Sequence, residues 1–241
     1  MAQELGKVNK PEVDSFKHDR KLFLVPLLYA GKDSPQEYQE KHELYWKQVG
    51  EQVTNLEVKM GSITRVYHES VSMEGDEGLK IMEQLNAKSH QIAKERCQKG
   101  AVLEMIEDRE LAEECMDWER CLLMGFISEK AAKMVTDFYV EASKKRHEHI
   151  GKKIDETLKD GDVAVLFIRE GHMVQFPKDV DVFSVAPPAL DEIHRWIRDH
   201  MARGSAQKPE PEAEEKPEAK PEAKSEEKPA GGSEPKKKKS K

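Results

Sequence analysis

Three short segments of this chain gather side chains suited to proton transfer and anion binding: Gly31-Lys32-Asp33-Ser34, His68-Glu69-Ser70 and Arg169-Glu170-Gly171-His172. Each follows an apolar, strand-like run. An unperturbed histidine titrates near neutrality, and a carboxylate beside it can exchange its proton, so His172, His68 and Glu170 are candidate acid–base groups. Arg169, with Lys32, Ser34 and the backbone at Gly171, makes a candidate anion clamp, since glycine lets a main chain approach a ligand closely. In open α/β sheets, ligands bind beyond the carboxyl ends of parallel strands. The three segments therefore converge on one rim if their strands are parallel neighbours, a condition that sequence does not fix. The plain alternative is that Arg169 and Glu170 mark a strand reaching solvent, with Gly171 turning the chain.

Other patterns are less informative. There is no G-x-G-x-x-G and no G-x-x-x-x-G-K-[ST]. Gly31-Lys32-Asp33-Ser34 reads as a turn into a helix, with Ser34 at N-cap and Pro35 at the first helical position. His147 and His149 are two residues apart, so on a helix they point in nearly opposite directions and cannot share an ion. With Lys144, Lys145, Arg146, Lys152 and Lys153 they read as a solvated basic helix. Glu104, Glu107, Asp108, Glu110, Glu113, Glu114 and Asp117 read as a solvated acidic face, because the Glu-x-x-His partner of a carboxylate-bridged metal pair is missing. Cys97, Cys115 and Cys121 lack C-x-x-C spacing and read as small, reduced core residues. These patterns assign no metal site and name no cofactor.

The elements that must carry these groups follow from periodicity. Residues 22–29 (LFLVPLLY) and 163–168 (VAVLFI) are apolar on both faces, as in a sheet covered on each side. Pro26 removes a ladder donor and argues for an edge position or a bulge. Residues 63–71 alternate as a second strand, and a helix over 34–56 completes a right-handed βαβ unit. Residues 174–176 and 181–185 are weaker strands, and a helix over 189–201 closes the body. The centre, about 77–159, reads as three helices inserted between the second and third strands. The fold expected is thus α/β, a small mostly parallel sheet flanked by helices.

Of 241 residues, 40 are basic and 47 acidic, and 37% are apolar. That balance excludes a fibrous or disulfide-scaffold class. The apolar run near the N-terminus is split by Pro26, preceded by acid, and far short of the roughly 20 residues that span a bilayer. A cytoplasmic location is the expectation. Residues 204–241 hold ten lysines, nine glutamates and six prolines, with Lys-Pro-Glu repeated, and read as an extended tail. The remaining 203 residues are net acidic, which disfavours a broad duplex-binding face. The expected organisation is an arm over 1–20, one domain over 21–203 and the tail.

No catalytic signature emerges, so sequence leaves open whether the chain is an enzyme. The reading favoured is a non-catalytic interaction or regulatory protein. It would use its helical insertion, as a homodimer or with another protein, and its tail. Lys236, Lys237, Lys238 and Lys239 would add weak contact to nucleic acid or an acidic partner. The alternative is a protein that binds or transforms a small anionic ligand at the strand ends around His172.

Overall fold

The computed structural model describes residues 19–206. The arm through residue 18 and the tail from residue 207, with Lys236, Lys237, Lys238 and Lys239, lie outside them. The described residues form a five-stranded parallel sheet in the order β3-β2-β4-β1-β5, with six helices. The elements are β1 (Arg20–Pro26), α1 (Gln36–Met60), β2 (Arg65–His68), α2 (Gly75–Leu85) and α3 (Ala87–Cys97). Then come β3 (Val102–Leu103), α4 (Arg109–Leu123), α5 (Glu129–Thr157), β4 (Val163–Ile168), β5 (Val180–Ser184) and α6 (Pro188–Ala206).

All six residues of β4 are buried, because the strand is central and helices cover both its faces. Alternate residues divide the core. Val163, Val165 and Phe167 face a layer built by Tyr45, Val49 and Val53 of α1, Met82 of α2, Ile92 of α3 and Ile193 of α6. Ala164, Leu166 and Ile168 face Ile150, Ile154 and Leu158 near the end of α5. The chain therefore runs to one face after β1 and β2 and to the other after β3 and β4. Val174 and Phe176, expected as a strand, lie instead in the β4–β5 connection and pack into the α5 layer. Among the described residues no helix is long and apolar enough to cross a membrane.

Pro26 sits on an interior strand, not at an edge. Lys21 and Leu27 donate toward β4, whereas Leu24 accepts from Val185 on the β5 side. By that alternation the missing Pro26 N–H belongs on the β5 side, beyond the last paired residue, Ser184. The proline thus costs no ladder bond. Ser34 is likewise not the N-cap of α1. Pro35 holds that position, while Ser34 Oγ accepts from the Gly31 amide at 3.0 Å and closes the preceding turn.

The central stretch holds four helices and a short strand. Asn86 divides the first expected helix into α2 and α3, its Oδ1 accepting from the Lys88 and Ser89 amides at 3.1 and 3.0 Å. The two residues of β3 then pair with Arg65 and Val66 at the sheet edge. At Gly78 of α2, a Cβ would lie 2.3 Å from the Met73 carbonyl oxygen and 2.8 Å from Leu103 Cδ2. Backbone cannot yield as a side chain can. Gly78→Ala should therefore destabilise by about 1–3 kcal/mol despite the better helix propensity of alanine. An unchanged melting temperature by circular dichroism would contradict this.

Candidate functional site

β1, β2 and β4 are parallel neighbours, so their carboxyl ends do lie along one edge of the sheet. The chain leaves β4 toward one face and leaves both flanking strands toward the other. Such a reversal opens a crevice beyond the strand ends. The groups nominated by sequence are nevertheless spread around that edge.

His68 is fully buried on the α3 side, with its ring 5.9 Å from that of Phe167. Its Nδ1 meets the Glu69 carbonyl oxygen, which can only accept, so Nδ1 carries the proton and Nε2 accepts from Ser89 Oγ at 3.2 Å. Burial pulls its pKa down to about 4. His172 lies on the opposite side, against Phe176 and the α5 layer, with its Nδ1 buried and unpartnered among the described residues. Burial lowers its pKa as well. Glu170 turns to α6 and accepts from His194 Nε2 at 2.8 Å. Lys32 lines a separate cavity of about 330 Å³ with Tyr29, His42 and Asn86. Gly171 has a φ of 77°, the left-handed backbone that favours glycine. His68, Arg169 and His172 therefore do not converge as an acid–base triad.

Arg169 does stand in a cluster, which joins it to Glu69 of the nominated His68-Glu69-Ser70 segment and adds Arg146 and Glu107, which sequence reading set aside. Its Nε donates to Glu69 Oε1 at 3.1 Å, and its Nη1 lies 3.5 Å from Glu119 of α4. Glu69 is buried, and its Oε2 has no partner among the described residues. Beside it lies a second buried pair. Arg146 of α5 donates from Nε to Glu107 Oε2 at 3.0 Å and from Nη2 to Oε1, and the Ser70 amide also donates to Oε1 at 3.0 Å. Arg146 and Glu107 are thus not members of solvated basic and acidic faces, as their neighbours suggest. Ser70 is the one non-glycine among the described residues with positive φ, 65°. The Glu107 carboxylate holds that backbone in place. Burial, with Glu69 adding to it, raises the Tyr29 phenol to about 12, which keeps it a neutral hydroxyl.

These residues border a cavity of about 180 Å³ lined by Ser70, Ser72, Glu107, Arg109, Ala112, Glu113, Met116, Arg146 and Arg169. A larger groove of about 700 Å³ lies between α1 and α3, formed by helix faces rather than strand ends. No group of three or more His, Cys, Asp or Glu placed to hold a metal ion occurs among the described residues.

A second feature adjoins the cavity. α4 and the first half of α5 form a hairpin packed chiefly on itself: Trp118 stacks on Phe138 at 4.9 Å, and Cys115 lies 3.3 Å from Ser143. Cys115 is the one fully buried residue of α4, and α5 joins the main core only beyond Ala142. Around the turn, Leu123, Met124 and Ile127 are 84%, 85% and 107% exposed, and Met134 and Phe138, four residues apart on α5, are exposed as well. The sequence signal was the amount of apolar stripe in the insertion, more than a small sheet can cover. Comparison with protein-family models, with curated proteins and with solved structures finds no match for this chain.

Proposed function

We propose that this is a non-catalytic interaction protein that self-associates through the α4–α5 hairpin. The supporting observation is the run of bare apolar side chains from Leu123 to Ile127 at the hairpin turn, continued by Met134 and Phe138. Contiguous apolar surface of this kind marks an interaction site more often than a solvated one.

Charge favours a second copy as the occupant. α4 carries five acidic residues against Arg109 and Arg120, a net charge of −3, whereas residues 129–145 of α5 carry Lys130, Lys133, Lys144 and Lys145 against Glu129, Asp137 and Glu141, a net charge of +1. A two-fold pairing sets α4 of one copy beside α5 of the other, joining opposite charges around an apolar centre in a four-helix arrangement.

The test is the mass of the full chain by light scattering at tens of micromolar. The expected value is twice 27.6 kDa. The variant Leu123→Glu with Ile127→Glu should fall to the single mass while keeping its circular dichroism spectrum. A monomeric wild-type chain overturns the reading, and so does a variant that stays dimeric, because the contact would then lie elsewhere.

A further inference from the structure

The cavity at the strand ends has a donor surplus that the hairpin reading does not use. Of the two carboxylates that line it, Glu107 has both oxygens occupied, by Arg146 twice and by the Ser70 amide, and the exposed Glu113 pairs with Arg109. The guanidinium groups are less fully engaged. Arg146, only 5% exposed, commits Nε and Nη2 to Glu107, leaving Nη1 without a partner among the described residues in a side chain that lines the cavity. Arg169 commits Nε to Glu69 and sets Nη1 near Glu119, which leaves Nη2. Arg109 at the cavity mouth uses Nε alone, toward Glu113. Guanidinium N–H groups can only donate, and the hydroxyls of Ser70 and Ser72 can donate too. An anionic oxygen is the strongest acceptor for such N–H groups.

From this we infer that the crevice between Ser70, Arg146 and Arg169 binds a small oxyanion, a carboxylate or a phosphate. Position supports the inference, since the crevice lies where the chain leaves β2 and β4 toward opposite faces of the sheet. Size restricts the ligand. About 180 Å³ is below the roughly 300–1,000 Å³ of sites for drug-sized molecules, so a few-carbon acid or a free phosphate fits and a dinucleotide does not. Ala112 and Met116 form an apolar wall that suits a short carbon chain. The inference is independent of self-association.

The experiment is isothermal titration calorimetry of the full chain with inorganic phosphate and, separately, with succinate, each against sodium chloride at matched ionic strength. Saturable binding by one or both is expected, and which probe binds identifies the source of the oxyanion. Two variants locate it. Ala112→Phe fills the cavity without touching a charge and should abolish binding. Arg109→Gln, at a fully exposed position, should weaken it about tenfold, the loss of one charge-assisted contact. Circular dichroism checks that both fold, and Arg109→Gln keeps the test decisive should Ala112→Phe fail to. Heats no different from chloride for both probes overturn the inference, as does undiminished binding by a folded Ala112→Phe chain or by Arg109→Gln.

Discussion

Replacing Arg146 with methionine should lower the free energy of unfolding by about 3–5 kcal/mol, the cost of stranding a buried carboxylate. Its side chain is 6% exposed and that of Glu107 is 1% exposed, so water replaces the lost guanidinium only poorly. Removing both partners is expected to hurt less. In Arg146→Met with Glu107→Leu no charge remains to be desolvated, and two apolar side chains can pack in the space. Recovery stays incomplete, because the Ser70 amide loses its acceptor at about 1–3 kcal/mol. Urea unfolding followed by circular dichroism, run as a double-mutant cycle, measures both effects. A single variant within 1 kcal/mol of wild type would mean that the pair is far better hydrated than its burial implies.

The same pair shows where sequence reading succeeds and where it stops. β4 was legible because a strand covered on both faces must be apolar throughout, and VAVLFI offers no polar face. The parallel arrangement followed from the helix joining the first two strands. β3 was not legible: two residues between helices become a strand only through the bonds that Thr64 and Val66 offer them. Asn86 could have been read as a cap, since a short polar side chain inside an otherwise helical run is a recurrent break signal. Arg146 also carried a signal. It falls on the four-residue step Ala142, Arg146, Ile150, Ile154, the buried stripe of α5, while the lysines beside it point outward. A cation on an apolar stripe implies a buried anion opposite, and Glu107 lies 39 residues earlier in the chain. The identity of that partner is tertiary information that no local pattern contains. The rim argument was incomplete for the converse reason: it placed the loops at the right edge of the sheet, where Arg169 and Glu69 do meet, but could not tell to which side His68, Glu170 and His172 turn.

His68 supplies the second large effect, a loss of stability on acidification. Burial holds its folded-state pKa near 4, against 6.5 for an exposed imidazole. Between those values the unfolded chain binds the proton and the folded chain does not, so stability is full above about pH 6.5 and falls as pH drops toward 4. The difference amounts to about 3 kcal/mol at the lower end. Protonation need not break a hydrogen bond, since the Ser89 hydroxyl can turn from Nε2 to the Asn86 carbonyl oxygen 3.1 Å away. The cost is that of charging an imidazole packed on Phe167, and Glu107, the one charged side chain acting on it, offsets only part. His42, His147 and His172 are shifted the same way by burial and add to the slope. The contribution of His68 is isolated by His68→Gln, which cannot titrate: unfolding free energies of this variant between pH 7.5 and 4.5 should fall less steeply than those of wild type. Equal slopes would mean that the buried imidazole is not the group that takes up the proton.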